Sequence, residues 1–163
     1  MPYPTKRIAT AGLFAALAII FGYIEFLIPI NIALPGIKLG IANIVVLIAI
    51  YKLGWKWALS INIIRVLVSA LLFGSVFSAI YSLSGAILSF FIMLALKKWD
   101  KFSILGVSMA GGVFHNLGQL LAACFVMQTA DVLYYYPVLL LSGLATGLII
   151  GFLAHLILPK LAF

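Results

Sequence analysis

The chain has 163 residues, of which 66% are hydrophobic and only 8% are charged, and its mean hydropathy is +1.32. A soluble core of this size cannot hold so many apolar side chains, so the composition excludes a soluble globular protein and predicts an integral membrane protein surrounded by lipid. The net charge of +7 would suggest nucleic acid in a soluble chain, but here the basic residues mostly lie between apolar segments. We read them as topology signals and expect no nucleic-acid partner.

The apolar segments predict an all-α bundle of six transmembrane helices in a single domain over residues 1–163. Their predicted bounds are Ile8 to about Ile28, Leu39–Tyr51, Trp57–Phe73, about Ser78 to Leu96, Phe102 to about Met127, and Pro137–Leu158. No small-x-small cleavage site follows the first segment, so it is predicted to be a helix rather than a signal peptide. The second has 13 residues, fewer than the roughly 20 of an upright span, so it is expected to be short, tilted, extended at its ends or partly re-entrant.

The connections between these segments differ strongly in charge. KLGWK and KKWDK are predicted basic loops, and Gln128–Tyr136 is a predicted interfacial loop with three consecutive tyrosines. In a six-span topology, eight basic residues of the connections and termini fall on one face of the membrane and only Lys38 falls on the other. The eight are Lys6, Arg7, Lys52, Lys56, Lys97, Lys98, Lys101 and Lys160. The positive-inside rule therefore predicts a multi-pass protein of the cell membrane with both termini in the cytoplasm.

Polar residues near the middle of two apolar segments are the strongest functional signal. Arg65 lies near the middle of the third segment, and His115 and Asn116 lie near the middle of the fifth, with Gln119 one turn further along. A charged side chain at bilayer depth costs at least about 2.5 kcal/mol on insertion scales, so it is found facing a bundle interior, a wet cavity or a partner. We expect these side chains to converge on a cavity.

The predicted topology adds three residues to this group, Asn43, Lys38 and Glu25, and places the cavity in the outer half of the membrane. Each member also has a structural alternative: the neutral polar residues can join helices by hydrogen bonds, Glu25 and Lys38 can be interfacial groups, and Glu25 can form an ion pair with Arg65. Because Arg offers a rigid bidentate donor fork, the cationic bias suggests an anionic or carbonyl-rich ligand.

Small residues at four-residue spacing predict close helix packing. Gly143, Gly147 and Gly151 form such a stripe in the sixth segment, and we expect it to pack within the chain. In the first segment Ala11 and Ala15 have the same spacing, with Gly12 and Ala16 beside them. The sequence is compatible with two interpretations of this pair, a packing seam inside the chain and a contact surface for a partner.

Four stretches resemble the Gx transporter family, whose members are also named heptaprenyl diphosphate synthase component I. They are PGIKLGIAN (Pro35–Asn43), RVLVSALLFG (Arg65–Gly74), YSLSGAILS (Tyr81–Ser89) and SMAGGVFHNLGQLLAA (Ser108–Ala123). That family in turn resembles the substrate-binding S-components of energy-coupling factor (ECF) vitamin transporters. The resemblance implies a six-helix protein with cytoplasmic ends and an Ala-x-x-x-Ala motif on helix one that contacts the transmembrane T-component. Ala11 and Ala15 match that motif.

The enzyme name conflicts with the acidic residues of the chain. Trans-prenyl synthases bind diphosphates through Mg²⁺ held by aspartate-rich motifs, whereas this chain has only three acidic residues, Glu25, Asp100 and Asp131, far apart in sequence. No Cys/His cluster suits zinc, and there is no glycine-rich nucleotide loop. We therefore expect no catalytic residues, no metal site and no cofactor; any ATP hydrolysis would belong to other subunits.

These observations lead to one main hypothesis and two alternatives. The main hypothesis is a substrate-binding, S-component-like subunit of an ECF-type importer for a small vitamin-like or isoprenoid- or quinone-related solute, with T-component and ATPase partners. The first alternative is a non-catalytic membrane subunit associated with prenyl diphosphate or menaquinone synthesis or with extracellular electron transfer. The second is a small self-contained channel or facilitator.

Overall fold

A computed structural model describes residues 4–27 and 40–161. Within these ranges the chain forms six α-helices: α1 (Pro4–Leu27), α2 (Ile41–Lys52), α3 (Trp55–Phe73), α4 (Val76–Trp99), α5 (Ile104–Met127) and α6 (Tyr136–Ile157). Five helical segments are long and apolar enough to cross a membrane, and α2 is a shorter apolar helix. The protein is therefore an all-α, multi-pass membrane protein, as the composition predicts.

The connections at the basic residues are shorter than predicted. The prediction that KKWDK is a loop is wrong, because α4 continues to Trp99 and ends only where Asp100 adopts a left-handed conformation with φ 56°. Lys and Trp are compatible with a helix, whereas a left-handed residue terminates one. Similarly, the predicted loop Gln128–Tyr136 contains a 3₁₀ helix, Asp131–Tyr135, directly before α6.

The short helix α2 lies at the centre of the bundle. Every residue from 44 to 50 is buried, so both sides of this helix pack against other parts of the chain. Its 12 residues span about 18 Å, which is little more than half of the roughly 30 Å hydrocarbon core. Gly40, just before α2, faces Ile150 in the fourth turn of α6, roughly 20 Å from the start of that helix. Helix α2 therefore begins inside the bundle, beside the middle turns of α6.

Lysine side chains hold together the ends of three helices. Lys97, in the last turn of α4, donates from Nζ to the carbonyl oxygen of Ile50 in the last turn of α2. Lys52 donates from Nζ to the carbonyl oxygen of Leu161, just after α6, at 2.7 Å. The carboxyl ends of α2, α4 and α6 thus meet at one end of the bundle, where cations complement the exposed carbonyls of helix termini. We call it the basic end, and the positive-inside rule predicts that it faces the cytoplasm.

Glycines of α6 pack directly on the backbone of α5. A Cβ atom added to Gly147 would lie 2.6 Å from Cα of Met109, and one added to Gly143 would lie 2.8 Å from the carbonyl carbon of Gly112. Real Cβ contacts are not this short, so the two backbones approach as closely as they do only because these positions lack side chains. The prediction that the glycine stripe packs within the chain is confirmed.

The alanines of α1 face inward. Ala11 is only 6% exposed and belongs to the same buried cluster as Ala18, and the half-buried Ala15 packs against that cluster. Of the two alternatives that the sequence leaves open, the internal seam therefore describes Ala11, because its side chain is covered by the chain itself. The exposed alanines and glycine on this helix are Ala9, Gly12 and Ala16, and the last two are four positions apart.

We expect Gly147→Ala to destabilise the protein, because the new methyl group would overlap the α5 backbone, which cannot move aside as a flexible side chain can. Overpacking of this kind costs about 1–3 kcal/mol. The measurement is the thermal unfolding midpoint of the protein in detergent. Gly12→Ala is the matched control, because nothing lies within 4 Å of a Cβ atom at that position. Equal midpoints for the two variants would contradict the packing described here.

Candidate functional site

A cavity of about 160 Å³ lies in the middle of the bundle, and all six helices contribute to its wall. Six of the seven predicted ligand-contacting residues line it: Glu25, Asn43, Arg65, His115, Asn116 and Gln119. The seventh, Lys38, lies outside the described residues. The structure thus brings together side chains that are up to 94 positions apart in the sequence, from Glu25 on α1 to Gln119 on α5.

Two asparagine side chains hold the guanidinium of Arg65. Its Nη2 donates to Oδ1 of Asn43 at 2.7 Å, and its Nε donates to Oδ1 of Asn62 at 3.0 Å. Asn62 is itself buried, at 2% exposure, and its Nδ2 donates to the carbonyl oxygen of Ala86 on α4 at 3.1 Å. The orientation of Arg65 is therefore fixed by α2, by α4 and by its own helix α3.

The fixed guanidinium keeps hydrogen-bonding capacity toward the cavity. An arginine side chain carries five N–H donors, and the bonds to Asn43 and Asn62 use two of them. Both partners are neutral amides, so they orient the charge without neutralising it. Arg65 can therefore present remaining donors in its planar fork to an acceptor-rich group inside the cavity that it lines.

Glu25 approaches the same turn of α2 from α1. Its Oε1 accepts a hydrogen bond from the backbone N–H of Gly40, which has φ +70° and immediately precedes α2. A carboxylate is stabilised at this position because the amino-terminal end of a helix carries a partial positive charge. Glu25 also interacts electrostatically with Arg65. Both charged groups thus lie beside the first turn of α2, Arg65 reaching it from the middle of α3 and Glu25 from the last turn of α1.

The opposite wall of the cavity comes from α5, and glycines set its position. A Cβ atom on Gly85 of α4 would lie 2.6 Å from the carbonyl oxygen of His115 and 2.8 Å from Cγ of Gln119, so the absence of a side chain lets α5 approach. Asn116 donates from Nδ2 to the carbonyl oxygen of Leu139 on α6 at 2.7 Å. Asn116 therefore joins two helices as well as lining the cavity.

Hydroxyl groups that sequence reasoning missed complete the lining. They are Ser78, Ser82 and Ser89 on α4, Ser108 on α5 and Thr146 on α6. Their signal is visible in the sequence, because the α4 serines recur at steps of four and seven residues on one helical face, but each serine alone resembles ordinary helix-packing residues. Ser89 fulfils that structural role too, since its Oγ donates to the carbonyl oxygen of Gly111 at 2.8 Å.

The profile of a protein family described as heptaprenyl diphosphate synthase component I matches residues 14–157. The chain belongs to this family. The matched region contains every cavity residue named above, whereas Ala11 precedes it. No curated protein and no solved structure matches the chain. The family description names one component of a synthase.

The substrates of prenyl diphosphate synthesis carry diphosphate groups, which enzymes commonly bind through metal ions held by carboxylate side chains. Within residues 4–27 and 40–161, no group of three or more His, Cys, Asp or Glu side chains could hold a metal ion. The charged groups that the cavity offers in these ranges are one guanidinium and one carboxylate. Their arrangement suits hydrogen bonding to a small polar molecule.

We expect Asn62→Leu to destabilise the protein, because it removes the acceptor of Arg65 Nε and the donor to Ala86 at a buried position. Leaving such groups without partners costs about 1–3 kcal/mol. Thermal unfolding in detergent measures the effect. Ser60→Ala on the same helix is the matched control, because Ser60 is exposed and its hydroxyl bonds only to the carbonyl of Lys56 one turn earlier. A midpoint for Asn62→Leu as high as that of the control would refute the role of Asn62.

Proposed function

We propose that this chain is a solute-binding membrane subunit, similar to the S-component of an ECF-type importer, that captures a small vitamin-like or isoprenoid- or quinone-related molecule. The observation that carries the proposal is the position of Arg65 in a polar cavity at bilayer depth. Ionisable residues at such depth are expensive and commonly mark substrate pathways. All six helices contribute residues to the wall of this cavity, as expected of a binding site inside a helix bundle.

The size of the cavity supports a small solute. Its volume of about 160 Å³ is below the roughly 300–1,000 Å³ that is typical of pockets for drug-sized ligands. A heptaprenyl chain, with seven isoprenoid units, is much larger than this space. A molecule with a compact polar group fits the hydroxyls, amides and single guanidinium of the wall better than a long hydrocarbon does.

The family description favours a second candidate function. As a heptaprenyl diphosphate synthase component I, the chain would be a non-catalytic membrane subunit associated with prenyl diphosphate synthesis. Menaquinone synthesis and extracellular electron transfer are the other settings proposed for such a subunit. In that role the cavity would bind only the polar end of a lipid, and the partner would be a synthase subunit or a redox protein. The two candidates therefore differ in what remains attached to the chain in its native membrane.

The deciding experiment purifies a tagged copy from its native membrane in mild detergent and identifies bound proteins and small molecules by mass spectrometry. A T-component with ATPase subunits supports the importer proposal, and a retained small molecule argues against an open channel. A prenyl synthase subunit or redox protein in their place supports the second candidate and overturns the first.

The exposed small residues of α1 are the proposed contact with a T-component, because Ala11 is covered by the chain itself while the neighbouring Gly12 and Ala16 are exposed. We expect Gly12→Leu combined with Ala16→Leu to reduce co-purification of the T-component at least tenfold, since bulky side chains keep two helices apart. Ala145→Leu on α6 is the control, because it adds the same side chain at another exposed position. Undiminished co-purification in the double variant would exclude this surface.

We expect Arg65→Ala to abolish retention of the small molecule, because the variant removes the donor fork from the cavity. The measurement is the amount of that molecule per mole of purified protein. Arg7→Ala is the control, because Arg7 is an exposed arginine in the first turns of α1, far along the helix from the cavity-lining Glu25. Retention by Arg65→Ala at the wild-type level would remove Arg65 from the binding site.

A further inference from the structure

The two charges in the cavity have opposite signs and meet at one helical turn. Among residues 4–27 and 40–161, the charged side chains that line the cavity are Arg65 and Glu25, and His115 is the remaining titratable group there. Arg65 bonds to Asn43 and Glu25 bonds to Gly40, three positions apart around the start of α2. The formal charge that these two groups bring to the cavity is therefore zero.

Each charge is already compensated by oriented dipoles. The carboxylate of Glu25 lies at the amino-terminal end of α2, where the backbone N–H of Gly40 donates to it. The guanidinium of Arg65 faces the oxygen ends of two amide groups, those of Asn43 and Asn62. These two charges thus have compensating partners before any ligand enters. Because unpaired charge is costly in a medium of low dielectric constant, a ligand that adds net charge would disturb this balance.

Among residues 4–27 and 40–161, the rest of the wall contains the titratable His115 but no further carboxylate, guanidinium or ammonium group that would neutralise such a ligand. Ser82, Gln119 and Thr146 contribute hydroxyl and amide groups, each of which can both donate and accept hydrogen bonds. A ligand with acceptors at one end and donors at the other can satisfy Arg65, Glu25 and this neutral wall together. Of the anionic and carbonyl-rich ligands suggested by the sequence, the carbonyl-rich one agrees with this arrangement.

We infer that the cavity takes a small molecule without net charge, which presents a carbonyl-rich or other acceptor group to Arg65 and a donor group to Glu25. This inference rests on the proposed solute-binding function and adds the chemical class of the solute. It also makes Glu25 a specificity-determining residue rather than solely the structural partner of Arg65.

The test exposes immobilised wild-type protein in detergent to a total small-molecule extract of the host cells, washes it, and identifies the retained compounds by mass spectrometry in both polarities. Immobilised Glu25→Gln and Arg65→Gln are treated identically. Asp131→Asn and Arg7→Gln are the matched controls, because they make the same chemical changes at exposed positions that do not line the cavity. Size-exclusion profiles confirm that equal amounts of monodisperse protein are compared.

We expect a retained compound that is uncharged overall at pH 7, with at least tenfold lower retention by Glu25→Gln and Arg65→Gln and unchanged retention by both controls. A retained compound with a net negative charge, or one that Glu25→Gln binds as well as wild type, would overturn the inference and leave the solute-binding function standing. If wild-type protein retains nothing beyond a resin-and-detergent blank, the proposed function itself fails. The charge of the wild-type compound is decisive even if a variant does not fold.

Discussion

A guanidinium at bilayer depth must be surrounded by polar groups, and this requirement organises the middle of the protein. Arg65 needs Asn43 at the first turn of α2 and Asn62 one turn away on α3, and Asn62 in turn needs the carbonyl of Ala86 on α4. Moving any of these three helices would remove a partner from a charge that lipid cannot solvate. The charge therefore fixes the relative positions of helices that would otherwise be joined by non-directional apolar contacts.

The two sides of the cavity are built by different means. Around α2 and α3, hydrogen bonds from asparagine, arginine and glutamate side chains determine the geometry. Between α5 and α6, close backbone packing at Gly143 and Gly147 determines most of it, together with the hydrogen bond from Asn116 to the carbonyl oxygen of Leu139. The hydrogen bonds position α2 and α3, and the backbone packing positions α5 and α6. The cavity between these two pairs of helices can therefore be lined with hydroxyls and amides that are not all needed to hold the bundle together.

Much of the fold was predictable because lipid imposes simple rules: the six helices, the short second segment and the internal glycine stripe all follow from apolar length and residue size. The convergence of Arg65, Asn43 and His115 on one cavity was also predictable, since polar groups at similar depth must avoid lipid. The serines of α4 were not, because a single hydroxyl is inexpensive in a helix and carries no distinct signal. The end of α4 at Asp100 was missed since lysines mark an interface but do not end a helix.

The half-length of α2 has a consequence for how a bound molecule would experience the membrane voltage. Its 12 residues span about 18 Å of a roughly 30 Å hydrocarbon core, so the groups gathered at its amino-terminal end lie partway through the transmembrane electric field. A full crossing is worth roughly 2.3 kcal/mol per elementary charge per 100 mV, and a site halfway through the field would sense about half of that. A cavity that pairs one positive with one negative group at that depth holds a dipole instead of a monopole, and its occupancy by an uncharged molecule is largely independent of the potential.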